Sequence, residues 1–511
     1  MKIKLSDLTL EEKVGQMLMF AFHGTEFNED IKIRLTKFHV GGVIHFARNI
    51  ENPNQVTQLN KYIIENSKIA PFIGIDQEGG IVQRIIKDVT PFPGAMALSA
   101  TGEEITELCY YVGTNLRNMN YNMVFAPVAD VNNNPSNPVI NSRSYSDNPY
   151  VVSKYVKEAV NGFEKTGIIP FLKHFPGHGD TNVDSHVGLP IVDKSKNELN
   201  RLELVPFKDA ITNNAPGIMV AHILYPAYDK EYPSTLSKKI VNGLLKEDLG
   251  FKGLAITDSL TMAAIYNNYS KKDIVTLSAN AGIDMMMFCG KATLDEQEEI
   301  YNAFLEAVKC GDVPIERVND AVSKILEYKE KYCKKVSYEY VNPSSDAIKL
   351  GRELSRKSIT MVKNNKLKVS ENTLVIFPRI KLFSLVDNSD ASYITLSSAL
   401  KQRGIITSEV IIDSDEDNIS KELIKKADSF KHVIMATYNV RSNDYQVEVF
   451  NALPKEKVTV VAMRSPYDLL YLDGVCGYIC IYEATELAIN SLCDALCDDK
   501  FYGKLPISLN R

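Results

Sequence analysis

The chain has 511 residues, 45% hydrophobic and 24% charged, the balance of an ordinary globular protein with room for about two to four domains. A formal charge of −6 leaves no basic surplus for nucleic acid or an anionic membrane surface. Glu11, Glu12 and Lys13 interrupt the start before any signal-like apolar core forms, no stretch is apolar enough to span a bilayer, and eight cysteines are too sparse for a disulfide scaffold. A cytoplasmic, reducing location is therefore expected.

From the N-terminus, short apolar runs fall near 16–22, 40–45, 72–76, 122–126, 168–173, 217–221, 253–257 and 283–288. Helix-like segments near 53–67, 103–118, 149–165, 204–213 and 237–249 lie between them, many with apolar residues three and four apart. Such alternation makes parallel strands with helical crossovers, and eight repeats predict a closed (β/α)8 TIM-type barrel. Polar residues sit where the runs end: His45, Asp76, Asp130, Lys173 with His174, His222 and Asp258. In a barrel those ends converge on one mouth.

Helices are expected at 294–310 and 314–332, which completes a catalytic domain at 1–335. Residues 336–345 read as a linker, and a smaller α/β open-sheet sandwich domain is expected at 346–511. Its apolar runs are Leu374–Phe377, His432–Ala436, Val458–Ala462 and Tyr478–Ile481. It has no glycine-rich phosphate loop. Cys476 with Cys480 and Cys493 with Cys497 each share one element face, which favours buried free thiols over a zinc site.

The chemistry concentrates after the 168–173 run, in Lys173-His174-Phe175-Pro176-Gly177-His178-Gly179-Asp180-Thr181 and then Asp184-Ser185-His186. Three of the eight histidines fall there. A polar, glycine-rich loop is commonly only a connection, but three histidines and a lysine at one strand end point to a site. His174 and His178 have the spacing of a helical metal pair, yet Pro176 and Gly177 between them forbid the helix, and no metal is implied. Carboxylates, arginine, lysine and histidine around a polar cavity suit a sugar, and a strand-end carboxylate such as Asp258 can act as a glycosidase nucleophile.

The sequence resembles glycoside hydrolase family 3, and within it the β-N-acetylglucosaminidases. The resemblance covers almost the whole chain and rests on Lys173–Thr181 with Asp184-Ser185-His186, on Gly74–Gly80, Asn141–Ser146, Met219–His222 and Ile256–Ser259, and on the ending Gly503–Leu509. It implies a retaining exo-β-N-acetylglucosaminidase acting on peptidoglycan-derived or chitin-type saccharides, with a role in peptidoglycan recycling and no cofactor. Asp258 would be the nucleophile and His186 the acid/base, oriented by Asp184. Asp76, Arg84, Arg143, Lys173 and His174 would bind the terminal sugar, with His222 grouped among them. Relatives acting on glucosides lack the Asp-x-His pair and take their acid/base from a second-domain carboxylate. That difference favours N-acetylglucosamine over glucose or xylose. A phosphorylase using the same pocket is an alternative, because a histidine acid/base does not repel phosphate. A sugar-binding protein would need neither Asp258 nor His186. One departure stands out: Ile81 occupies the place after Gly79-Gly80 where the family often has arginine.

Overall fold

The computed structural model describes residues 3–184, 188–290, 292–333, 336–380, 394–414, 421–442 and 444–509. Eight parallel strands form the first sheet: β1 (Leu18–Ala21), β2 (Gly42–His45), β3 (Phe72–Ile75), β4 (Met123–Val124), β5 (Ile169–Phe175), β6 (Gly217–Val220), β7 (Leu254–Thr257) and β8 (Met286–Phe288). Chain neighbours pair in sequence, β1 also pairs with β8, and a parallel bridge between Ile256 and Met285 joins β7 to β8. The sheet thus closes into the expected barrel. All its strand residues are buried, because side chains fill the barrel and helices cover it. This burial on both faces is why the strands read as largely apolar runs, with polar residues such as His45, Lys173 and His174 only toward their C-terminal ends.

Helices at Pro53–Glu65, Thr106–Asn118, Pro149–Glu164 and Val205–Thr212 occupy the expected crossovers, and Lys239–Asp248 coils with π-helical geometry. Local signals start several of them. Asn52 accepts from the Gln55 N–H ahead of Pro53, and Asn148 accepts from the Tyr150 N–H ahead of Pro149. Leu294–Lys309 and Ile315–Tyr332 complete the ring. A polar hairpin, Gln77–Gly79 with Val82–Gln83, follows β3 directly. Its turn needs glycine: Gly80 has φ +59, and a Cβ there would meet Glu483 Oε2 at 2.6 Å.

The second sheet contains β9 (Thr360–Lys363), β10 (Thr373–Pro378), β11 (Ser408–Ile412), β12 (His432–Thr437), β13 (Val458–Ala462) and β14 (Gly477–Cys480). Its order is β9-β14-β13-β12-β10-β11, parallel except where β9 runs against β14. Residues 336–344 form neither helix nor strand. Asn120 pins them to the barrel, accepting from the Ser337 N–H at 2.6 Å and donating to its carbonyl at 2.9 Å. Met96, Ala97 and Ala100, on the helix Ala95–Thr101, enter the apolar core beneath the second sheet. Polar contacts across the same junction include Asn141 Nδ2 to Ser465 Oγ at 3.1 Å and Tyr467 Oη to the Asn132 carbonyl at 3.2 Å.

Among the described residues, no helix is long and apolar enough to cross a membrane. All eight cysteines are free thiols. The expected burial of the two close pairs holds for one thiol of each: Cys480 and Cys493 are buried, whereas Cys476 and Cys497 are exposed.

Candidate active site

A cavity opens at the C-terminal ends of the barrel strands. Asp76, Arg84, Arg143, Lys173, His174 and Asp258 all line it, so six residues expected at the mouth do converge. Phe46, Val139, Met219, Met262 and Met287 supply apolar surface, and His178 joins the polar set. A few convergent charged groups among apolar walls suit a ligand that is polar at its edges and less so on its faces.

Lys173 and His174 are consecutive, yet both reach the cavity. A regular strand would send them to opposite faces. The pairing of β5 with β6 shifts register between Leu172 and Phe175, and this break in the pleat brings both to the mouth.

The cations are ordered by carboxylates. Glu78, from the polar hairpin, takes Arg143 in a two-pronged pair, Nε at 2.9 Å and Nη2 at 2.8 Å. Lys173 Nζ lies 2.5 Å from Glu78 and 2.8 Å from Asp76, and Arg84 Nη2 lies 3.3 Å from the other Asp76 oxygen. Burial works against ionisation of both acids, but Arg143 and Lys173 hold Glu78 well below the usual carboxylate range. Lys173 and Arg84 do the same for Asp76. Burial likewise opposes the Lys173 and Arg143 charges, and the neighbouring carboxylates more than restore them. The cluster is therefore charged at neutral pH.

Buried Asp130 organises the histidines. One oxygen accepts the backbone N–H of His174 at 3.1 Å and of His178 at 2.6 Å, and the other lies 2.7 Å from His174 Nδ1. His178 Nδ1 contacts Thr181 Oγ1 at 2.7 Å. Burial, reinforced by His174, pushes the His178 imidazole down to about 4, so it is neutral at physiological pH. Among the described residues, no group of three His, Cys, Asp or Glu side chains could hold a metal ion.

Asp258 follows β7, its backbone N–H bound to the Val220 carbonyl at 2.9 Å and its Oδ1 accepting the Ser259 N–H at 2.7 Å. His222 is placed otherwise than expected. It does not line the cavity; Nδ1 lies 2.7 Å from Thr235 Oγ1 and Nε2 lies 2.8 Å from the Ser259 carbonyl. Both ring nitrogens are engaged behind the site, where they brace the turn after Asp258. His45, also expected at the mouth, is fully buried against Tyr121 Oη at 3.0 Å. Asp184 is half-buried, and His186 lies outside the described residues.

Glu78, Asp130 and His178 were not singled out as site residues from sequence. Each carried a signal: Glu78 lies within Gly74–Gly80, Asp130 at a run end, and His178 within Lys173–Thr181.

The Glycosyl hydrolase family 3 N terminal domain profile matches residues 9–328. The chain belongs to glycosyl hydrolase family 3. It is accordingly a glycoside hydrolase acting on a saccharide. It is 32% identical over 473 residues to β-hexosaminidase A of Pseudoalteromonas piscicida, covering 82% of this chain and 78% of that protein. It is 28% identical over 335 residues to the Mycobacterium tuberculosis β-hexosaminidase LpqI, covering 63% and 83%. A family 3 β-N-acetylglucosaminidase structure from Paenibacillus sp. str. FPU-7 superposes with a TM-score of 0.92 at 34% identity, over 98% of this chain and 99% of that one.

Proposed function

We propose that the protein is a retaining exo-β-N-acetylglucosaminidase that releases terminal β-linked N-acetylglucosamine from peptidoglycan-derived or chitin-type saccharides. The observation that carries this reading is the Asp258 carboxylate opening into the same cavity as Asp76, Arg84, Lys173 and His174. Those groups present charged donors and acceptors to the hydroxyls of one terminal sugar, with its anomeric carbon toward Asp258. In this mechanism His186 protonates the leaving oxygen while Asp258 attacks, and His186 then deprotonates the incoming water. Asp184 supports the imidazolium. The Asp184-Ser185-His186 sequence and the activities named for the relatives support N-acetylglucosamine over glucose.

The roles fall between Asp76 and Asp258, which places the chemistry in domain 1–335, with 336–345 as linker and 346–511 as a second domain. A reducing cytoplasm suits the eight free thiols, three of them exposed, and a role in recycling peptidoglycan fragments fits that location.

The test is covalent trapping. A 5-fluoro N-acetylglucosaminyl fluoride should leave one glycosyl adduct on the peptide containing Asp258, detected by mass spectrometry. Turnover that releases the inverted anomer, or an adduct on another residue, would overturn the reading.

A further inference from the structure

The hairpin that carries Glu78 turns at Gly79-Gly80, and that turn is held from two sides. On the barrel side the Gly80 N–H donates to the Phe92 carbonyl at 2.9 Å, and a Cβ on Gly79, φ +99, would stand 2.4 Å from the Pro93 carbonyl oxygen. On the other side stands Glu483, which comes from the second domain just after β14 and is 2% exposed. Its Oε2 accepts the Gly94 N–H at 2.5 Å, and would lie 2.6 Å from a Cβ on Gly80 and 2.9 Å from one on Gly94. The turn, the 92–94 segment and one carboxyl oxygen therefore meet with no room for a methyl group between them.

The reach of Glu483 is itself arranged. Tyr482 before it has a left-handed backbone, φ +65, uncommon outside glycine, and its hydroxyl donates to Thr360 Oγ1 on β9 at 2.7 Å. The Thr485 hydroxyl donates to Glu483 Oε1 at 2.9 Å. Both the backbone leading to Glu483 and its side chain are thus fixed. Glu483 shares a small recess with Glu78, Ile81, Arg143, Tyr145 and Tyr482, but it does not line the sugar cavity. Glu78 is the joint of the cation cluster, paired with Arg143 through both oxygens and 2.5 Å from Lys173. A shift of the turn moves Glu78, and with it the partner of two cations that face the sugar.

We propose that Glu483 is a positioning residue for the sugar site, through which the second domain sets where Glu78 holds Arg143 and Lys173. It acts by reach rather than by charge, filling the space beside Gly80 and satisfying the Gly94 N–H. The barrel supplies the groups that touch the sugar, and affinity for that sugar depends on a residue of the other domain. The proposal rests on the reading above, in which those cations bind a terminal N-acetylglucosamine.

The test measures the Kd of free N-acetylglucosamine by NMR titration, and kcat and KM on an aryl β-N-acetylglucosaminide. It is run at pH 6, because burial pushes the Glu483 carboxyl up to about 7 and leaves it largely protonated there. The proteins are wild type, Glu483→Gln, Glu483→Asp and Glu483→Ala. Glutamine has the same length, an oxygen for Gly94 and an amide nitrogen for Thr485, and should bind as wild type does. Aspartate keeps the acid but falls one methylene short of Gly94, and should raise Kd and KM roughly tenfold with kcat held within about twofold. Alanine should lose at least as much; should it fail to fold, aspartate against glutamine decides. Wild-type Kd and KM in Glu483→Asp, however far its melting temperature falls, would make Glu483 a brace of the junction alone and overturn the proposal. A loss confined to kcat would overturn it too, as would a glutamine variant as weak as aspartate. A folded wild type that neither binds N-acetylglucosamine nor cleaves the aryl substrate would instead overturn the functional reading beneath it.

Discussion

Asp130 holds His174 by two of its atoms, Nδ1 at 2.7 Å and the backbone N–H at 3.1 Å. A carboxylate facing Nδ1 makes that nitrogen the donor and fixes the ring's orientation at the cavity wall. The first prediction follows from this orientation. Asp130→Asn sets an amide nitrogen or a single carbonyl where two acceptors stood, and should cost about 1–3 kcal/mol of sugar binding, roughly 10–100-fold in kcat/KM. Steady-state kinetics with inhibition by free N-acetylglucosamine measures it. Unaltered constants would mean that His174 does not hold the sugar.

The Glu78 pairs set a pH dependence. The folded-state pKa of Glu78 lies below the ordinary value of 4.5, so as pH falls the unfolded chain takes up the proton first. Stability from this group is full above about pH 5 and is lost as pH falls toward the folded value. Glu78→Gln should lower the melting temperature at pH 7 and flatten its decline between about pH 5 and 3. Asp76, held down by the same lysine, keeps part of the slope. A variant curve parallel to wild type across that range would contradict the pairing.

How far the sequence reveals this site depends on burial and on distance along the chain. The barrel strands are buried on both faces, and even two-residue β4 lies inside an apolar run at 122–126. Edge strands β9 and β11 are partly exposed, so Thr360–Lys363 and Ser408–Ile412 give no such run. The hairpin after β3 is polar and buried, a combination without a periodic signature. Glu78 meets Arg143 across 65 residues, and no spacing rule predicts that pair. His222 shows the opposite failure. It sits at a run end like Asp76, but two residues beyond β6, where the chain turns its ring behind the site.

The junction between the halves contains an acid whose pKa moves the other way. Glu483 accepts the Gly94 N–H at 2.5 Å and the Thr485 hydroxyl at 2.9 Å, and burial pushes its carboxyl up to about 7. Here the folded state keeps the proton longer. The contribution is full below about pH 4.5, falls as pH rises to about 7, and stays low above it. Glu483→Gln keeps an oxygen for Gly94 without a buried charge, so at pH 8 it should be more stable than wild type by on the order of 3 kcal/mol. That advantage should shrink toward pH 5. Thermal melts at the two pH values decide it, and a variant less stable at pH 8 would show that the carboxylate form is preferred at the junction.

The last prediction concerns His186 and Asp258, which the proposed mechanism gives distinct tasks. Asp258→Asn keeps shape but removes the nucleophile's charge, and should lower kcat by roughly 10³-fold or more on every substrate. His186→Ala should discriminate. Substrates with poor leaving groups need a proton and should be crippled, whereas activated aryl glycosides should still transfer the sugar to Asp258. Hydrolysis of that intermediate should then be slow, because water lacks its base. Azide, an anion that needs no deprotonation, should restore turnover of the aryl substrate and yield the β-glycosyl azide. Asp184→Asn should show a milder form of the same defect, since it weakens support for the imidazolium. If His186 only braces its loop, both leaving-group classes should fall alike and azide should do nothing. That outcome would send the search for the acid to the second domain, where Glu483 borders a small recess with Glu78 and Arg143.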